Sequence, residues 1–219
     1  MRFGRKRTDD PDQGEIAEDA AGDESGGSDP RADGPWDSSE ITLEEGDETR
    51  VDLGSLLVPL DHDLDLQLQV DEASGEVIAV VLAGETGAAE LRAFAAPRNG
   101  DIWEEVRRSV TDEVTALGGT ATEQEGVFGP ELVVSLTVEL PDGQHAEQTS
   151  KVIGIPGPRW LLRSTLFGRP AVDYVEDGDI ESALRDIVVV RGQTPLPPGD
   201  PLPLRLPPNA QPAGAPTGQ

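Results

Sequence analysis

The chain has 219 residues, a formal net charge of −26 and no cysteine. The lack of cysteine excludes disulfides, zinc sites built on thiolates and thiol nucleophiles. The excess of acidic residues disfavours nucleic acid and anionic lipid, because affinity for both comes mainly from positive charge on the protein.

Residues 1–42 are predicted to form a disordered acidic tail with a basic tip. Acidic residues, glycine and serine dominate the segment, and such a composition buries too little apolar surface to offset the entropy of ordering. The tip contains Arg2, Arg5, Lys6 and Arg7 but is not followed by the apolar region of a secretory signal. The longest apolar run, residues 77–83, is too short to span a bilayer. We therefore expect a soluble cytoplasmic protein.

Residues 43–193 are expected to form a single domain in which strand patterns dominate. Apolar and polar residues alternate over residues 63–70 and again over 132–140, which predicts strands with one apolar face. The run 76–83 is apolar throughout and favours a strand that is buried on both faces. The predicted strands are residues 51–58, 63–70, 76–83, 88–96, 132–140, 145–155 and 159–167.

One helix is predicted between Asp101, a candidate N-cap, and the pair Gly118-Gly119, which is typical of a helix end. Apolar residues recur at helical spacing between these limits and begin at Ile102 and Trp103. A shorter helix is predicted to start at Asp179. Strand hairpins combined with these helices predict an α+β domain: a mostly antiparallel sheet packed by one long helix and a short C-terminal helix.

Residues 194–219 predict a proline-rich arm that ends in a disordered tail. The prolines favour an extended polyproline II path. The arm could bind an aromatic groove of another protein, or it could pack along its own domain and bury its leucines. Both alternatives stay open at this point, although the leucines favour the second.

A cluster of arginines is the candidate binding surface. In a strand, Arg159 and Arg163 lie on one face, whereas Trp160 lies on the opposite face as a core anchor. Guanidinium groups suit carboxylates and phosphates, which predicts a surface for an anionic ligand or a protein partner. The alternative is that these arginines pair with the many acids of the domain. The candidate binding residues are Arg98, Arg107, Arg159, Arg163 and Arg191, and the candidate structural anchors are Trp103, Trp160, Gly118 and Gly119.

No catalytic device, metal site or cofactor site is predicted. The run Asp61-His62-Asp63 is interpreted as a solvated turn, because metal ligands must converge from three or more groups. His145 and Glu147 share a strand face, but one such pair beside a turn does not establish acid–base catalysis. Phosphate-binding loops and nucleophile elbows are absent from the sequence.

Several motifs together resemble an uncharacterised actinobacterial family, the domain of unknown function 3710. The matching segments are Ala-Ala-Pro-Arg at 95–98, Trp-Glu-Glu-Val-Arg at 103–107, Gly-Gly at 118–119, Glu-Gly-Val-Phe-Gly-Pro-Glu-Leu at 125–132, Gly-Pro-Arg-Trp-Leu-Leu-Arg at 157–163, Val-Val-Arg-Gly at 189–192 and Pro-Leu-Pro-Pro at 195–198. The resemblance covers about residues 45–208. It departs from the family at Pro156, where the resemblance implies an aspartate.

The resemblance implies a bacterial cytoplasmic protein and assigns no function. The order of elements also looks similar to the Mog1/PsbP-like fold, whose members are mostly binding or assembly factors. We therefore expect a non-enzymatic binding or assembly domain. The alternatives are an enzyme, such as a hydrolase or nucleotide-processing protein, and a structural accessory protein with a solubilising acidic tail.

Overall fold

The computed structural model describes residues 31–42, 48–60, 62–139 and 143–207. Within these residues the strands are β1 (Trp36–Asp37), β2 (Arg50–Asp52), β3 (Leu56–Pro59), β4 (Asp65–Val70), β5 (Val77–Ala83), β6 (Gly87–Ala95), β7 (Thr120–Gly126), β8 (Gly129–Glu139), β9 (His145–Gly157), β10 (Trp160–Gly168) and β11 (Val188–Val189). The helices are α1 (Trp103–Ala116), α2 (Arg169–Val172) and α3 (Asp179–Asp186).

The predicted α+β class, with one long helix and a short C-terminal helix packed on a single sheet, is wrong. The described residues are mostly β and form two sheets, and all three helices are short. The second sheet was missed because β1, β2 and β11 contain only two or three residues each. Such short strands carry no alternation that a sequence pattern could reveal.

The larger sheet has seven antiparallel strands in the order β4-β5-β6-β10-β9-β8-β7. Hairpins join β4 to β5, β5 to β6, β7 to β8, β8 to β9 and β9 to β10. The one non-local pairing is between β6 and β10, in which Arg92 lies directly opposite Arg163. This pairing places the predicted arginine strand at the centre of the sheet.

The smaller sheet has four strands in the order β1-β11-β3-β2. Its strand β1 runs parallel to β11, so that Trp36 pairs with Val188 and Asp37 with Val189. Strand β3 pairs with both β11 and β2 in antiparallel fashion. The sheet therefore joins segments from the beginning and the end of the fold.

The main hydrophobic core lies between the two sheets, where Trp160 is completely buried. Its indole nitrogen Nε1 donates a 2.7 Å hydrogen bond to Oδ2 of Asp37, which is itself buried. The other oxygen of Asp37 accepts from the backbone amide and the hydroxyl of Ser39. A buried carboxylate needs such partners because its desolvation is costly, and Trp160 therefore ties the large sheet to β1.

A second core lies beneath α1, on the opposite face of β8, β9 and β10. Trp103, at the start of α1, lies directly over Gly154, where any side chain would overlap the indole ring. Its Nε1 donates a 2.7 Å hydrogen bond to the carbonyl oxygen of Pro130. At the other end of α1, Gly118 has a φ of 79°, and Gly119 lies against Leu136, leaving no space for a side chain.

The proline arm packs along its own domain. The amide of Leu202 donates to the carbonyl of Ala93, and the amide of Ala95 donates to the carbonyl of Asp200. Leu202 is only 3% exposed and belongs to the core between the sheets. The amide of Arg205 donates to the carbonyl of Leu53, so the arm also contacts the loop that precedes β3.

The described fold includes residues 31–42 and 194–207, which lie outside the predicted domain 43–193. Residues 1–30 and 208–219, where composition predicts disorder, lie outside the described residues. The predicted boundaries of the tails stay predictions for those segments.

Strands β8 and β9 share a buried ion pair. The Nζ of Lys151 lies 3.1 Å from Oε1 of Glu131, and both side chains are less than one tenth exposed. Oε1 of Glu131 also accepts a 2.7 Å hydrogen bond from Gln124. Removing one member of such a pair leaves the other charge buried without its partner.

We expect Asp37→Ala to lower the free energy of unfolding by about 2–3 kcal/mol, because it leaves the Trp160 indole nitrogen buried without an acceptor. Urea denaturation provides the measurement. The matched control is Asp33→Ala, since the side chain of Asp33 is 86% exposed, and it should change stability by less than about 0.5 kcal/mol. Equal effects of the two substitutions would contradict this assignment.

We expect Glu131→Leu to destabilise the protein by about 3–5 kcal/mol, because Lys151 would remain buried with an unpaired charge. The double variant Glu131→Leu with Lys151→Met should recover most of this loss, since no buried charge remains. Glu104→Gln, in the exposed pair with Arg108, serves as the control and should cost at most about 0.5 kcal/mol. Additive losses in the double variant would refute the interpretation.

Candidate functional site

The hairpin turn between β9 and β10 has an unusual backbone. Gly157 pairs with Trp160, so Pro158 and Arg159 form a two-residue loop. Arg159 has a φ of 64° and is the only non-glycine residue with a positive φ in the described part of the chain. Proline followed by a positive φ is the combination of a type II turn, whose second position favours glycine. An arginine there costs on the order of 1 kcal/mol in backbone strain, and such strain is often found at functional sites.

The carbonyl oxygen of Arg159 connects the turn to two other segments of the chain. It accepts a 2.9 Å hydrogen bond from the amide of Ala96 and a 3.0 Å hydrogen bond from Nε of Arg191. Arg98 follows two residues after Ala96. We call Arg98, Arg159 and Arg191 the arginine turn.

The positive charge of the arginine turn is not neutralised by described acids. None of its three residues forms an ion pair with a described residue, and Arg98 and Arg159 are exposed. The pKa of Arg191 lies below its usual value, mainly because of partial burial and further because of the nearby charge of Arg159. Asp200 reaches the same end of β6 through its carbonyl bond to Ala95 and forms no ion pair with the three arginines. The arrangement suits an anion.

The other two predicted arginines lie elsewhere and are paired. Arg107, on α1, forms an ion pair with Glu123 and lies over the ring of Trp103. Arg163, on β10, lies 4.0 Å from Glu90 and over the ring of Phe94 at 5.4 Å. The alternative interpretation of the five candidate arginines was that they pair with acids of the domain. That interpretation fits Arg107 and Arg163.

Successive side chains of β10 point to opposite faces of the sheet, as the alternation of its residues predicts. Trp160 and Leu162 belong to the core between the sheets, whereas Leu161 belongs to the core beneath α1. Arg163 lies on the α1 face with Leu161 and is partly buried, so it is not part of the exposed arginine turn. The structure thus separates Arg159 from Arg163, although they are only four positions apart.

Sequence reasoning missed one charged residue with an unusual setting, Arg92. It lies directly opposite Arg163, and its Nε donates a 2.9 Å hydrogen bond to Glu90. The alternation within residues 88–96 could have placed Glu90 and Arg92 on one face. The cross-strand position of Arg163 depends on the pairing of β6 with β10, which no local pattern reveals.

The histidines do not form a metal or acid–base site with the described residues. Nε2 of His62 lies 3.1 Å from a carboxylate oxygen of Asp186, whereas His145 is exposed at the start of β9. No group of three potential metal ligands occurs within the described ranges; Asp61 lies outside them. In the same ranges, no helix is both long and apolar enough to cross a membrane.

A family model described as "Protein of unknown function (DUF3710)" matches residues 34–213, which is most of the chain. No curated protein matches the sequence. The family match confirms the resemblance that the motifs indicate and extends it toward the N-terminus. The actinobacterial origin and the likeness to the Mog1/PsbP-like fold stay predictions.

We expect Arg159→Gly to be more stable than Arg159→Ala by about 1 kcal/mol, because glycine adopts a positive φ without the steric cost that alanine retains. Neither variant should be much less stable than the original protein, since the Arg159 side chain is exposed. Thermal unfolding of the three proteins gives the measurement. A large loss of stability in Arg159→Gly would show instead that the side chain stabilises the fold.

Proposed function

The chain belongs to the DUF3710 family of proteins of unknown function, and we propose that it is a non-enzymatic binding domain that holds an anionic group at the arginine turn. The observation that carries the proposal is the contact of Arg191 with Arg159, with Arg98 two residues beyond the amide that also bonds Arg159, and with none of the three in an ion pair with a described residue. The domain contains many acids, so arginines left unpaired at one turn are available to an external anion.

Electrostatics and backbone geometry both support this function. Burial and the nearby charge of Arg159 lower the pKa of Arg191, and an anion that binds beside both guanidinium groups would favour their charged forms. Arg159 also has a positive φ, at a turn position that favours glycine. A strained arginine is better explained by a role of its side chain than by the stability of the turn.

The chemical class of the ligand follows from the residues. Guanidinium groups bind carboxylates and phosphates through paired N–H donors. The ligand would therefore present a phosphate group or closely spaced carboxylates, either as a small molecule or on a partner protein. The large negative charge of the chain opposes association with long polyanions, so a compact anionic group is favoured.

No specific observation favours the enzyme alternative. Neither histidine lines any of the three described cavities. The accessory-protein alternative depends on the acidic tail, most of which lies outside the described residues.

We expect pyrophosphate or a hexaglutamate peptide to bind the protein, and the double variant Arg98→Ala with Arg159→Gly to weaken that binding at least about tenfold through loss of charged hydrogen bonds. Isothermal titration calorimetry at low ionic strength measures the affinity, and added salt should reduce it. Comparison of the two probes distinguishes phosphate from carboxylate recognition.

The control is Arg169→Ala with Arg205→Ala, which removes two exposed arginines from other parts of the described structure. It makes the same change in net charge and should keep the original affinity. The proposal fails if neither probe binds, or if the control and the arginine-turn variant weaken binding equally.

A further inference from the structure

The large sheet divides at one end, where β5 and β6 separate. The two strands pair from Ala83 opposite Ala88 to Val80 opposite Leu91. Beyond Leu91, strand β6 pairs with the proline arm instead, since the carbonyl of Ala93 accepts a 2.8 Å hydrogen bond from Leu202. The first residues of β5 therefore face the arm across a gap rather than a neighbouring strand.

A cavity of about 540 Å³ occupies this gap. Its walls are more apolar than polar, and two of the apolar residues remain accessible to solvent: Ile78 is 41% and Leu206 is 53% exposed. Pockets that bind small molecules typically have volumes of roughly 300–1,000 Å³ and combine apolar walls with a few polar groups. The apolar residues that line the cavity include Val77, Ile78, Phe94, Leu202, Leu204 and Leu206.

One partly buried cation, Arg92, lines the same cavity. Its Nε donates to Oε1 of Glu90, whereas its two terminal nitrogens form no hydrogen bond with a described residue. Arg163, directly across the strand pair, lies 4.0 Å from the same oxygen of Glu90. Like charges placed directly opposite each other are unfavourable. Arg92 and Arg163 share a single carboxylate oxygen, Oε1 of Glu90.

The remaining acids near this pair are solvent-exposed. Glu113, on α1, acts on Arg163 electrostatically and is exposed. Glu76 lines the cavity from the β5 side and is also exposed. Solvent screens their charges more than the charge of the partly buried Arg92, so the cavity combines apolar walls with a cationic group.

We propose that this cavity binds a small amphipathic carboxylate, with its apolar chain between β5 and the proline arm and its carboxylate on the terminal nitrogens of Arg92. The apolar walls select the chain through burial of hydrocarbon surface. The guanidinium group selects the anionic head through paired charged hydrogen bonds. The site is separate from the arginine turn and goes beyond the anion binding proposed above.

The first test compares three probes on the full chain: decanoate, decan-1-ol and acetate, each below the concentration at which it aggregates. We expect decanoate to bind at least about tenfold more tightly than either of the others, because only decanoate has both the chain and the charge. Titration calorimetry measures affinity, and amide NMR shifts should change at Val77, Ile78 and Phe94. Equal affinity for decan-1-ol, shifts confined to other residues, or no binding of decanoate would overturn the proposal.

The second test uses two variants that act on different parts of the site. Arg92→Gln should weaken decanoate binding about tenfold and leave decan-1-ol binding unchanged. Ile78→Glu places a charge on the apolar wall and should weaken both. Ile78 is already partly exposed, so this variant should fold. The control, Val172→Glu, changes another exposed apolar residue and should have no effect; a loss in the control equal to that in Ile78→Glu would count against the site.

A third comparison separates this site from the arginine turn. The double variant Arg98→Ala with Arg159→Gly should bind decanoate as tightly as the original protein, whereas Arg92→Gln should keep its affinity for pyrophosphate. Loss of decanoate binding in the arginine-turn variant would refute a separate site. Either proposal can therefore fail while the other stands.

Discussion

The hydrogen bond between the Trp160 indole and the Asp37 carboxylate is the interaction on which most of this architecture depends. It connects the central strand of the large sheet to β1 of the small sheet across the main core. Trp160 lies against Gly157, where no side chain would fit. The same packing therefore holds the two ends of the β9–β10 turn in place, and Arg159 is presented to solvent from a rigid support.

The proline arm has a comparable role beside β6, where Leu202 enters the same core as Trp160. By pairing with the end of β6, it replaces the contact that β5 would otherwise make. The cavity beside Arg92 results from that replacement. The exposed charge of the arginine turn thus results from the tight β9–β10 turn. The apolar cavity beside Arg92 results from the proline arm, a segment without regular secondary structure.

The sequence pattern predicted six of the seven strands of the large sheet, because long strands carry a recognisable apolar pattern. It missed β7 (Thr120–Gly126), whose residues are mostly polar and exposed. The predicted segment 145–155, for example, lies within β9 (His145–Gly157). The helix predicted from Asp101 to Gly118 corresponds to α1.

The small sheet and the mainly β character were not predictable, because the pairing of β1 with β11 joins residues about 150 positions apart through strands too short to show a period. For the candidate site, alternation separated Trp160 from Arg163, whereas the contact of Arg191 with Arg159 depends on a tertiary hydrogen bond. Arg92 was missed for the same reason.

The parallel pairing of β1 with β11 has a consequence for the way the chain acquires its structure during synthesis. A ribosome releases Trp36 and Asp37 long before Val188 and Val189, so the first strand has no partner while most of the polypeptide is being made. Contacts at such long sequence separation slow folding, because a large loop must close before they form. Leu202 must then emerge before the main core is closed. The apolar face around Trp160 consequently stays uncovered until translation has passed the arm, and apolar surface exposed for such an interval favours aggregation.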